Sequence, residues 1–149
     1  MLTLLGPITD GTENVTSLPV STTYQNAQPQ VIYSVYVQNL TPNDVVLLNT
    51  QFEITSNYSY TPGLSRYIVR TNSATSTQGE FVTKPVNNGL IRQEHHEVVL
   101  LVGVDSNMPA GNYYYNVVAQ AVNGNAGPTD ALVVEQNYGQ CQALVFQRS

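Results

Sequence analysis

The residues with most capacity for chemistry stand together as Glu94, His95, His96 and Glu97. Imidazole with carboxylate is the donor pair of zinc sites and of acid–base catalysis. In a strand, however, neighbouring side chains leave by opposite faces. His95 and His96 therefore cannot chelate one ion from within a single chain. Only a three-fold axis gathering copies of one histidine would change that, so no metal is expected. A glycosidase needs two carboxylates at a set separation. Glu53 and Asp105 can be named as such a pair, but nothing in the sequence supports the choice. The residue types of a Ser-His-Asp triad are present without a nucleophile-elbow motif. Cys141 is the single cysteine, which rules out an internal disulfide framework. It has no neighbouring base and reads as a small apolar side chain of the last strand. Tyr58, Tyr60 and Tyr138 fall in predicted loops, where aromatic faces can stack on sugar rings. The competing reading is tyrosine packed at the base of a loop with its hydroxyl paired. The expectation is a chain with no enzymatic activity and no cofactor.

Composition points the same way. Of 149 residues, 10% are charged, against about 25% in an average soluble domain. Lys84 is the only lysine, and Asn, Gln, Thr, Ser and Tyr fill the space. A surface that is polar without being ionic suits a chain packed against copies of itself or exposed outside a cell. The net charge of −5 argues against nucleic acid as a partner. No apolar run approaches the ~20 residues of a membrane-spanning helix. Hydrophobic residues make up 42%, enough for the core of one domain.

The elements are strands. VIYSVYVQ (31–38) is dense in β-branched and aromatic residues, and Thr41-Pro42-Asn43-Asp44 is a turn. In the strand 44–55, Leu48, Phe52 and Ile54 point one way, and Asn49, Gln51 and Glu53 the other. Further strands are predicted at 65–71, 80–86, 94–105, 112–122, 130–136 and 142–148. Asn137-Tyr138-Gly139 separates the last two, and Leu144 and Phe146 are expected to face inward. There is no helical periodicity. The fold class is all-β, an antiparallel sandwich or jelly roll of about eight strands over residues 31–149. Residues 1–30 read as an extended N-terminal arm, which either wraps a neighbour or completes its own sandwich.

In the strand 94–105, His96, Val98, Leu100, Val102 and Val104 share one face, and Glu97, Val99 and Leu101 the other. Both faces are apolar. With the first face as core, the second would be bare on a monomer, together with Tyr114 and Val118 of the next strand. Bare apolar surface of that extent is unusual.

The succession VLLNTQFEIT, SRYIVRT, HHEVVLLVGVDSNMPAGNYYYNVVAQAV and QALVFQR resembles the jelly-roll head domains of phage tail-fibre and capsid decoration proteins. Those heads are similar to the tumour-necrosis-factor-like trimeric domains. The resemblance implies a homotrimer around a three-fold axis, with Val99, Leu101, Tyr114 and Val118 at the oligomer interface. It implies a structural protein on the virion surface, a capsid decoration or head/tail surface protein, anchored by its arm to major capsid or tail proteins. The alternatives are a receptor- or glycan-binding fibre tip acting through Tyr58, Tyr60 and Tyr138, or a spore-coat or archaeal cell-surface component.

Overall fold

Runs of β-branched and aromatic residues, broken by Pro, Gly, Asn and Asp, can satisfy their backbone groups by strand pairing. The computed structural model describes residues 2–10, 15–18, 26–56, 63–90, 96–122 and 132–148. They form β1 (Leu2–Asp10), β2 (Val15–Leu18), β3 (Gln30–Leu40), β4 (Asp44–Ser56), β5 (Gly63–Thr71), β6 (Glu80–Leu90), β7 (Glu97–Ser106), β8 (Gly111–Val122) and β9 (Leu132–Arg148). Among the described residues there is no helix.

Two antiparallel sheets face each other. The first runs β1-β9-β4-β7, with β2 also on β9; the second runs β3-β8-β5-β6. From β2 to β5 and from β6 to β9, each connection crosses between the sheets, which gives the strand order of a jelly roll. The turn expected at 41–44 closes as Asp44 N–H donates to Thr41 O (3.0 Å) and Thr41 N–H to Asp44 Oδ2 (2.8 Å). Asn107 opens the β7–β8 turn with φ of 58°, a backbone state that asparagine tolerates.

The alternation in β4 is as the sequence dictates. Leu48, Phe52 and Ile54 are fully buried, while Asn49 and Gln51 are exposed. Tyr33 of the second sheet meets Phe52 of the first with ring centroids 6.5 Å apart. Met108, Tyr115 and Ile68 belong to the same core without exposure.

Of the two readings of the N-terminal segment, an arm on a neighbour or strands of its own sandwich, the structure takes the second. The N-terminal segment carries two strands of the chain's own sheet. β1 pairs with the C-terminal half of β9, from Leu2↔Arg148 to Asp10↔Cys141. β2 pairs with its first half, and Leu18 is 2% exposed in the core. An edge of β9 with unpaired backbone groups is the template these short apolar pieces fill. Asn137-Tyr138-Gly139, expected to separate two strands, does not reverse the chain. Gln51 pairs with Gln140 and Glu53 with Glu135, so residues 136–139 bulge out opposite Phe52 within one long strand. The bulge shifts the side-chain phase of β9. Leu132 and Val134 point inward before it, and Cys141, Ala143 and Val145 after it, so Leu144 and Phe146 take the other face. The bulge is tied to the second sheet: Gln136 Nε2 donates to Ile32 O (2.9 Å), and Tyr33 OH donates to Gln136 O (3.2 Å).

Gly139 is what lets β9 lie against β4 there. A Cβ on it would collide with the carbonyl oxygen of Gln51 and stand 2.7 Å from Cα of Phe52. Gly139→Ala is expected to destabilise the protein by about 2 kcal/mol or more, read as a lower urea midpoint. Gly111→Ala, whose Cβ would meet only the Tyr113 ring at 3.5 Å, is expected to change it little. Hydrogen exchange on the isolated chain should find protected amides within residues 2–10; uniformly fast exchange there would contradict the pairing with β9.

Candidate assembly surface

The orientation of β7 decides what the molecule shows to its surroundings. Asp105 points into the sandwich at 9% exposure, where a lone carboxylate would be costly. It is fully engaged. Nη1 of Arg70 donates to both of its oxygens (3.0 and 2.9 Å), and Tyr115 OH donates to Oδ2 (2.7 Å). The Arg70 guanidinium also lies over the Tyr113 ring, 5.1 Å from its centroid. Burial pushes the Tyr115 phenol well above its ordinary range, with the charge and the hydrogen bond of Asp105 adding to the effect. Two positions earlier, Gly103 faces β6, and a Cβ there would stand 2.7 Å from Thr83 Cγ2 and 2.9 Å from Val82 Cγ1. Asp105 and Gly103 thus fix the odd-numbered face of β7 inward.

This reverses the face assignment expected from the sequence. Val99 (1% exposed) and Leu101 (6%) belong to the core and are not available to a partner. Val98, Leu100, Val102 and Val104 are outside at 56–61% exposure. Val118 does lie on the outer face of β8, as expected, but is already covered at 0%. On that face Asn116 Nδ2 donates to the carbonyls of Ser73 and Ser76 (both 2.8 Å), and Gln120 Nε2 donates to Ala27 O (2.6 Å). Residues 72–79 and 26–29 therefore close over it. Of the expected interface set only Tyr114 remains at the surface, half-buried and stacked on Tyr36 at 4.6 Å.

The exposed stripe lies at an edge. Among the described residues β7 pairs with β4 alone, in unbroken register from Val45↔Ser106 to Ile54↔Glu97. It contains no Pro and no Lys, the residues that commonly blunt an edge strand. Beside the stripe, on β4, lie Asn49 opposite Val102 and Gln51 opposite Leu100. The result is an apolar row with a polar border and a free backbone edge, the composition of a contact surface.

The other candidate residues separate clearly. Glu53 pairs with Val98 and Asp105 with Val46, so the two carboxylates occupy opposite ends and opposite faces of the β4–β7 ladder, roughly 24 Å apart at 3.4 Å per residue. Cys141 is buried, and Thr50 Oγ1 donates to its sulfur at 3.4 Å. Tyr138 lies in the β9 bulge; Tyr58, Tyr60 and His95 fall outside the described residues. His96 stands beside Glu53 and Glu135, with Nδ1 3.3 Å from Oε2 of each. Strand alternation separates His96 from His95 but says nothing of cross-strand partners. These partners come from β4 and β9, and the bulge that turns Glu135 to the same face leaves no local signal.

No family model matches the chain, and no curated protein matches it. Solved structures do. A chain from the structure of the Gx strain of infectious bursal disease virus has a TM-score of 0.52 at 9% identity, over 99% of this chain and 37% of that one. A chain of the T13 particle of the same virus gives 0.47 at 10% identity, over 99% and 35%. The VP2 subviral particle gives 0.46 at 11%, over 99% and 38%. This chain therefore spans just over a third of the chains it resembles. The first of these likenesses establishes a shared sandwich fold.

The buried phenol sets an alkaline limit. A group whose folded pKa is raised contributes stability that is complete below its ordinary value, 10.0, and is lost as pH rises past it. Urea midpoints should therefore fall between about pH 9 and about pH 11. Tyr115→Phe should cost about 2 kcal/mol at neutral pH and make that alkaline decline shallower. An unchanged slope in the variant would contradict the assignment.

Proposed function

We propose that this chain is a structural protein of a virus particle, a shell or decoration subunit. It works as a closed homo-oligomer, a trimer, whose subunits meet over the outer face and free edge of β7. The observation that carries this reading is the row Val98, Leu100, Val102 and Val104, each more than half exposed on a strand whose second edge has no partner among the described residues. Covering one such side chain contributes roughly 1 kcal/mol. Rows gathered around a three-fold axis supply several kcal/mol per subunit, comparable to the lower estimates of the association cost, about 4 kcal/mol upward. Main-chain hydrogen bonds to the free edge add direction. A closed symmetric ring uses every copy of the stripe and leaves none bare, which an open chain of contacts does not. The jelly-roll order of strands supports the reading, as does the likeness in fold to a chain of infectious bursal disease virus. The role in this proposal is mechanical: the subunit buries apolar surface against its own copies and against other subunits of the shell, at the outside of the particle, and catalyses nothing.

Two substitutions at neighbouring positions separate assembly from folding. Light scattering should give a mass that is a small multiple of the chain mass at micromolar concentration. Leu100→Glu is expected to reduce that to the monomer with an unchanged far-ultraviolet circular dichroism spectrum. Leu101→Glu is expected to unfold the chain, because it forces an unpaired carboxylate into the core at a cost of several kcal/mol. A wild-type protein that stays monomeric under these conditions would overturn the proposal.

A further inference from the structure

We propose that Glu53, His96 and Glu135 form a binding site for a divalent transition-metal ion of the zinc class. Glu53 on β4 and Glu135 on β9 are direct cross-strand partners on the outer face of the first sheet. Like charges in that relation repel, and a sheet does not place them there without compensation. His96, the residue before β7, brings Nδ1 to 3.3 Å from Oε2 of each carboxylate. The three ligating atoms lie within 4.8 Å of one another. Donors bound at about 2.0–2.1 Å in a tetrahedron are themselves about 3.3 Å apart. The two nitrogen–oxygen distances are thus those of a metal site before any side chain moves.

The charges argue further. One imidazole nitrogen and two carboxylate oxygens converge on one region, and a positive charge among them relieves the repulsion between the carboxylates. A proton on Nδ1 can align with one carboxylate at a time. Oε2 of Glu135 is enclosed and accepts no hydrogen bond from the described residues, in a side chain only 19% exposed. An enclosed carboxylate oxygen without a donor bears an uncompensated desolvation penalty. A metal ion satisfies all three atoms together, whereas a proton on Nδ1 serves one carboxylate oxygen at a time. One imidazole with two carboxylates suits zinc, nickel or cobalt better than calcium or magnesium, which take oxygen alone. Three protein ligands leave one tetrahedral position for water. His96, 56% exposed, gives the ion a way in. The ligands come from one chain, so the site stands or falls independently of the proposed oligomer.

The test is zinc binding to the full chain by equilibrium dialysis, with the metal quantified in the protein compartment. One zinc per chain is expected, removed by a chelator. His96→Ala and Glu135→Gln should each weaken binding at least about tenfold, while His95→Ala should leave it unchanged. Zinc at 100 times its dissociation constant should raise the melting temperature of the wild type by roughly 5–10 °C and that of His96→Ala much less. Glu135→Gln removes the like-charge opposition, so its metal-free form should melt no lower than the wild type, which keeps misfolding from passing as lost binding. Absence of saturable zinc, or equal affinity in the wild type and His96→Ala, would overturn the site.

Discussion

Asp105 is a carboxylate near the end of a largely apolar strand, and it points inward. The sandwich can hold it there only because Arg70 on β5 and Tyr115 on β8 reach it from the opposite sheet. The bond therefore crosses the core and clamps the edge strand β7 to the second sheet. Breaking one partner of so enclosed a pair costs about 3–5 kcal/mol, a large part of the 5–15 kcal/mol that holds a domain together. Because side chains alternate along a strand, fixing Asp105 fixes every residue of β7. Val99 and Leu101 go to the core, and Val98, Leu100, Val102 and Val104 go to the outside.

The chain carries a second constraint of the same kind in β9. The bulge at 136–139 lets one strand keep its apolar side chains inward along its length, although its inward positions change parity at the bulge. Gln136 and Tyr33 fasten that bulge to the second sheet. Its consequence on the outer face is to set Glu135 against Glu53 beside His96. One polar tie across the sandwich thus yields the exposed aliphatic row, and the other the carboxylate–imidazole cluster at the end of that row.

Much of the fold was legible because it follows from alternation and turn chemistry. The burial of Leu48, Phe52 and Ile54, the turn at Thr41–Asp44 and the jelly-roll class all follow from local pattern. β7 was not legible, because both of its faces are apolar and periodicity cannot choose between them. The contact that chooses between them joins Asp105 to Arg70, 35 residues away. Asn137-Tyr138-Gly139 carries the composition of a turn and became a bulge, since only the register with β4 distinguishes the two. The metal-type cluster was hidden for a related reason. Its residues are remote in sequence, and Glu135 reaches the outer face only through that bulge.

If subunits meet over the even face of β7, assembly encloses Leu100, and thiol labelling reads that enclosure. A cysteine placed by Leu100→Cys can be reacted with a polar maleimide in concentrated protein and again after dilution to the monomer. The native Cys141 is buried and should not compete in folded protein. Labelling should be slow in the concentrated, assembled state and at least about tenfold faster after dilution, the sign of a site that assembly encloses. Equally fast labelling in a protein whose mass shows it to be assembled would contradict it, and would move the contact to another face.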